Sequence, residues 1–322
     1  MKKYLLAGVL ILLFAIPLAA MQKESVKIKL PDGVYMYDSE VRRQKDGTDR
    51  VGFEKYFVVH NNNIYGSIEA YEKFGLSKLN ALFGGGKKYK ILCGGEVVGT
   101  KNNLRFEKEE GADLDDAYIF SDTSYNTQDI KEGPAYWEKS IKIIIPRMGS
   151  AVKCLAVPEE YKEIPKKVYT TIPQEEVDKI AKLTKEKLLP LVINRKEVKQ
   201  YKIKATELHE ERIDLLDKIS DHKGDLYIGI YRYIFKQRGS YEFQIVFSAK
   251  QDKLYVITSE YDDETLCDQV VTIHGMLDFD GCGVEELFIE KICYEEDAFS
   301  LTKEIYKQKS DGNWFLIKKI KD

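Results

Sequence analysis

The sequence predicts a mainly β protein: antiparallel sheets in a β-rich α+β arrangement, built as two β domains or a partial propeller-like sheet, with one amphipathic helix near 171–189. Three observations carry this. Tyr241, Phe243, Ile245 and Phe247 alternate with polar residues, the period of a half-buried antiparallel strand. Short apolar runs are punctuated throughout by turn residues such as Asn61-Asn62-Asn63, Gly84-Gly85-Gly86 and Gly94-Gly95. Residues 171–189 show the clearest helical spacing, with Val177, Ile180, Ala181, Thr184 and Leu188 on one face.

The chain opens MKKYLLAGVLILLFAIPLAAMQ. Lys2 and Lys3, the apolar run Tyr4 to Ile16, and the small residues Ala19 and Ala20 after Pro17 have the layout of a secretory signal peptide cleaved near Ala20. An uncleaved anchor is the alternative, but the run is short for the ~20 residues that a span needs. No later segment has the length and apolarity of a span, and no cysteine stands directly after the cleavage region to carry a lipid. The mature chain is therefore expected in a periplasm or outside the cell.

Residues 21–157 read as an N-terminal β-rich domain. Its expected strands are Val26 to Leu30, Tyr56 to His60, Ile64 to Ile68, Tyr89 to Cys93 and Ile141 to Ile145, with a short helix over Ser77 to Phe83. Residues 158–200 read as a linker and the helix. Thr171 and Gln174 suit a capping box, Pro173 suits the first turn, and Pro190 is expected to stop the helix. Residues 201–322 read as a C-terminal β-rich domain with strands near 226–235, 241–247, 254–259, 270–277, 285–294, 301–307 and 314–320.

Composition narrows the function. Without residues 1–20 the chain has 48 basic and 53 acidic residues, a net charge of −5, with both signs interspersed. Nucleic acid or an anionic membrane would select a basic face, so neither is an expected partner. The five cysteines are Cys93, Cys154, Cys267, Cys282 and Cys293, and no CxxC occurs, which removes thioredoxin-like and zinc-ribbon chemistry. His209-Glu210-Glu211 starts like HExxH but continues to Ile213. There is no G-x-S-x-G and no P-loop; His60, His209, His222 and His274 share no ligand spacing. Asp113, Asp115, Asp116 and Asp122 could assist acid–base chemistry, though loop acids are usually solvated. The 21 tyrosines could stack on a glycan but are more often ordinary sheet aromatics.

One stretch points to chemistry: LDFDGCGVEELFIE, residues 277–290. Asp278, Asp280 and Glu286 occupy positions one, three and nine of a glycine-bearing loop, and the Val284 carbonyl can supply position seven. Closely spaced carboxylates supply the hard oxygens that calcium takes. Cys282 interrupts the set with a soft thiol. The loop is either a calcium site or, the preferred reading, a Gly-rich hairpin turn that has kept the backbone shape. A softer site of His274, Asp278, Asp280 and Cys282 has no recognised spacing. Pairing the strands on either side about Gly281 puts Cys293 opposite Gln269, two residues from Cys267. A disulfide between Cys267 and Cys293 is then expected if a slip or bulge closes that offset, with Cys282 the odd thiol. Cys93 could pair with Cys154, though their spacing does not compel it.

DFDGCGVEELFIE followed by EIYKQKSDGNWFLI resembles the FG-GAP or VCBS-type repeat over roughly the last 50 residues. The resemblance implies a calcium loop between two strands of a propeller blade, with Asp278, Asp280 and Glu286 as ligands and Cys282 as a departure. It implies adhesion, carbohydrate contact or structure, without catalysis of its own. Two function classes follow. The first is an exported non-catalytic protein that binds a protein, glycan or other component of the cell envelope. The alternative is an exported hydrolase with dispersed carboxylates.

Overall fold

A computed structural model describes residues 27–43, 45, 49–102, 104–108, 117–121, 143–145, 153–163, 166–169, 171–200, 202, 208–221, 224–235, 239–262, 268–295, 298–309 and 313–321. The signal segment, Asp113, Asp115, Asp116, Asp122, His222 and Cys267 lie outside these residues.

The protein is mainly antiparallel β. The strands are β1 (Gly33–Arg43), β2 (Asp49–His60), β3 (Asn63–Gly66), β4 (Lys88–Cys93), β5 (Glu96–Asn102), β6 (Leu104–Lys108), β7 (Ala117–Ser121), β8 (Ile143–Ile145), β9 (Cys154–Pro158) and β10 (Lys167–Tyr169). After the helices come β11 (Leu208–Asp221), β12 (Gly224–Phe235), β13 (Gly239–Ser248), β14 (Lys253–Asp262), β15 (Asp268–Leu277), β16 (Glu286–Glu295), β17 (Ala298–Gln308) and β18 (Trp314–Lys321). They form three open sheets and one hairpin. The first sheet runs β3-β2-β1-β9-β4-β5 with β8 on β2, the second β10 to β14 in sequence order, the third β15 to β18 likewise, and β6 pairs with β7. The last two sheets are meanders, in which each strand pairs with its sequence neighbours and local turns set the register.

The helices differ from expectation. Helix α1 (Ser67–Phe83) begins ten residues earlier than its periodicity shows, where Ile64 to Ile68 reads as strand. It kinks at Gly75, whose φ of 67° breaks the helical spacing. Helix α2 (Gln174–Ile193) starts after Pro173, with no side-chain cap from Thr171, and runs through Pro190. Proline there forfeits one hydrogen bond near the C-terminus, and the helix closes three residues on, where Asn194 Nδ2 donates to the Pro190 carbonyl at 2.8 Å. Its buried stripe is Ile180, Thr184, Leu188 and Val192. A short α3 (Lys196–Gln200) follows. Residues 27–30 form no strand; instead the Lys29 N–H donates to the Phe279 carbonyl at 2.8 Å.

Two cores fix the sheets to one another. Tyr35, Tyr37 and Phe57 of the first sheet pack with Leu277, Phe279, Phe288, Ile305 and Ile320 of the C-terminal region, and Ile28 and Leu30 close this cluster. Ile219, Ile228, Val246 and Ile257 of the second sheet pack with Met276, Leu287, Ile289 and Tyr306 of the third. The third sheet is thus apolar on both faces, and the first of these clusters joins residues of 21–157 to residues of 201–322. Cys93 and Cys154 are paired in register on β4 and β9 and their sulfurs are bonded, with both residues buried.

Candidate functional site

The Asp278 loop joins β15 to β16. Phe279 is fully buried, 6.0 Å from Phe57 and 6.3 Å from Phe288 by ring centroids. The chain leaves β15 at Leu277 and bends, with Phe279 in the core and the Asp278 and Asp280 carboxylates on the N–H groups of the turn. Gly281 (φ +66°) and Gly283 (φ +80°) take left-handed conformations that side-chain-bearing residues rarely adopt, and so reverse the chain.

Each carboxylate has a defined task. Asp278 Oδ1 accepts from the Cys282 N–H and Oδ2 from the Gly283 N–H, both at 3.0 Å. Asp280 Oδ1 accepts from the same Cys282 N–H at 3.0 Å. The wholly buried Glu286 side chain accepts the Phe279 N–H at Oε2, at 2.7 Å. The remaining oxygens meet one cation. Lys307 Nζ, from β17, contacts Asp280 Oδ2, stands 3.3 Å from Glu286 Oε1 and 3.4 Å from Cys282 Sγ. The Cys282 thiol lies 3.7 Å from the Val284 carbonyl.

These contacts set the titration. Burial, and then the charge of Asp280, push Glu286 up to about 7, against the Phe279 N–H and Lys307. Asp280 is held below the usual carboxylate range, since Cys282 and Lys307 outweigh the opposing effect of burial. Burial and Asp280 raise the Cys282 thiol, which makes it a poor nucleophile. Lys307 is pushed above the usual lysine range, because Asp280, Cys282 and Glu286 outweigh its desolvation.

A pH prediction follows. Glu286 binds its proton more tightly folded than unfolded, so its contribution to stability is complete below pH 4.5 and is lost as pH rises through about 7. Glu286→Gln keeps the acceptor for the Phe279 N–H and does not ionise. Between pH 5 and pH 8 the variant should gain about 2 kcal/mol relative to wild type in urea unfolding. A constant difference across that range would contradict the assignment.

Among the described residues, one triplet has donor atoms spaced for a metal ion: Asp278, Asp280 and Cys282, all within 4.8 Å of one another. The structure thus brings together the sequence-predicted Asp278 and Asp280. It places the Val284 carbonyl and Glu286 beside them, and it includes the thiol that hardness arguments set aside. The calcium implied by the repeat resemblance does not fit the arrangement as it stands. Lys307 Nζ, in contact with Asp280 Oδ2 and 3.4 Å from Cys282 Sγ, already stands against two of the triplet's three donors. Sequence reading missed Lys307, although a signal existed. The β16–β17 ladder pairs Leu287 with Tyr306, so its next step sets Lys307 beside Glu286.

Behind the loop, the three sheets enclose a cavity of about 50 Å³. Leu92 and Leu155 come from the first sheet, Asp217 and Ile219 from the second, and His274 and Met276 from the third; Tyr161 and Gly95 complete it. Its volume is that of a few water molecules. The Tyr161 hydroxyl accepts from the Asp278 N–H at 3.3 Å, which ties the cavity wall to the loop. Each carboxylate of the lining is paired with a lysine: Glu163 with Lys90 at 2.5 Å, Asp217 with Lys153 at 2.9 Å, and Glu285 with Lys166 at 2.5 Å.

At one end of the wall, His274 is the extra residue of a β-bulge between Ile273 and Gly275. Its ring lies 4.6 Å from Tyr37 and 5.6 Å from Phe288, and its Nε2 is 3.6 Å from Glu290 Oε1. Buried Glu290 also contacts Lys55 Nζ and accepts from the Tyr37 hydroxyl at 3.4 Å. Burial opposes its charge, but His274 and Lys55 hold it at about 2. Gln269 stands opposite Cys293, the register that the strand pairing predicts, while the partner thiol of the expected disulfide, Cys267, is outside the described residues. No helix among the described residues is long and apolar enough to cross a membrane. No family model, no curated protein and no solved structure matches the chain.

Proposed function

We propose that the chain is an exported, non-catalytic protein that binds a component of the cell envelope, a protein or a glycan. The observation that carries this reading is the pairing of every carboxylate in the cavity lining with a lysine. General acid–base hydrolysis needs carboxyl groups whose environments set their protonation apart and whose oxygens are open to substrate. Glu163, Asp217 and Glu285 are instead each neutralised within the fold. Glu286, the carboxyl that is pushed up, is wholly enclosed. The disulfide between buried Cys93 and Cys154 supports an oxidising compartment, in keeping with the N-terminal segment. Calcium has no part in this reading while Lys307 occupies the loop. The oxygens of Asp278, Asp280, Val284 and Glu286 would select it over a softer metal, once Lys307 is withdrawn.

Two measurements test the proposal. The intact mass of the protein recovered from its own cells should begin after residue 20, and retention of Met1 to Ala20 would remove the export reading. The mature protein should sediment with purified envelopes and release no soluble fragments from them. Release of fragments that disappears with Asp217→Asn would establish the hydrolase instead.

A further inference from the structure

We infer that the Lys307 ammonium is the resident cation of the Asp278 loop, a tethered replacement for a metal ion that closes the loop without one. The inference concerns the loop alone and stands whether or not the chain binds an envelope.

The geometry supplies the argument. An ammonium is a compact charge with three donors. Lys307 Nζ has three neighbours in the loop, Asp280 Oδ2, Glu286 Oε1 at 3.3 Å and Cys282 Sγ at 3.4 Å. Glu286 is fully buried, and its Oε1 has no hydrogen-bond donor of its own, so what faces it across the loop is this charge. A sulfur is a poor calcium ligand but an adequate neighbour for an ammonium. Cys282, the residue that spoils the metal pattern, is therefore compatible with the cation that is present.

Competition favours lysine as well. Calcium takes six to eight oxygens, and both oxygens of Asp278 already accept backbone N–H groups. A free ion would also have to displace a group whose effective concentration at the loop is set by its own strand, while losing its hydration and translational freedom. The ladder fixes that tether, because Tyr306, the residue before Lys307, is paired with Leu287, the residue after Glu286. The β15–β16 connection and β17 are thus clamped at a point that needs no supply of metal and ignores chelators.

Thermal unfolding in chelator and in millimolar calcium chloride tests the inference. Wild type should melt at the same temperature in both. Lys307→Met empties the position with little loss of side-chain volume, and its Tm should rise by roughly 2 °C or more with calcium. That rise should vanish in Lys307→Met/Asp280→Asn. An equal calcium response in wild type, or none in Lys307→Met, would overturn the inference. A second measurement needs no variant. Calorimetric titration of wild type with calcium chloride should show no saturable binding below ~1 mM, and saturable binding there would refute the tethered cation.

Discussion

Replacing Cys93 and Cys154 together with alanine should lower stability by about 4 kcal/mol, the loop-closure entropy for a sequence separation of 61 residues. The bond links neighbouring strands that are already in register, so it adds little to native contacts and acts mainly by shrinking the unfolded ensemble. Both sulfurs are buried, with Cys93 and Cys154 in the cluster that also holds Tyr89, Ile91 and Ala156. The alanines add a modest packing loss to the entropic one. Differential scanning calorimetry should show a Tm lower by on the order of 10 °C. Wild type in a strong reductant should move in the same direction once the buried bond is opened. An unchanged Tm in the double variant would mean that the unfolded chain is already constrained across residues 93–154.

The second large effect concerns Glu290. Its pKa is depressed to about 2, so its contribution to stability is complete above pH 4.5 and is lost as pH falls through about 2. The displacement from 4.5 corresponds to about 3 kcal/mol, more than half of it gone by pH 3. Glu290→Gln removes the charge that faces His274 and Lys55 across the seam between the first and third sheets. At pH 7 the variant should be less stable by about 3 kcal/mol, because breaking the pair leaves the Lys55 ammonium without its buried carboxylate. At pH 3 the deficit should shrink below half of that. Urea midpoints at the two pH values give both numbers, and a deficit that does not change with pH would show that Glu290 acts through packing alone. The Glu286 prediction runs in the opposite sense with pH, so the two carboxyls on β16 are separable in one experiment.

The strands were most legible where one face is apolar and the turns are short. The alternation of Tyr241, Phe243, Ile245 and Phe247 falls within β13, and pairing about Gly281 placed Cys293 opposite Gln269, as the ladder has it. Legibility failed where charge is internal. Strand β11, LHEERIDLLDKISD, was not among the expected strands. Its Lys218 bonds Glu176 of α2 at 2.9 Å and its Asp217 is buried against Lys153, so polar residues occupy positions that a hydrophobic pattern leaves blank. Helix α1 was truncated because Gly75 interrupts the spacing and its aromatic residues Tyr71 and Phe74 suit a strand equally well. Of the site, the three carboxylates were legible from their spacing. Lys307 was missed because it arrives from the next hairpin, whose ladder had to be paired first, and the cavity was not legible because three sheets build it.

The packing of Ile28 and Leu30 with Leu277, Phe279, Phe288, Ile305 and Ile320 bears on how the chain must fold in time. A polypeptide emerging N-terminus first delivers Ile28 and Leu30 long before Ile320. The cluster that joins the first and third sheets cannot assemble until nearly the whole sequence is available, however early the local hairpins form. Contacts of such long range make for slow folding. The cluster of Val34, Met36, Ile91 and Ala156 draws on residues 34–156 alone, so the first sheet can pack early while its join to the third sheet waits for the last strand.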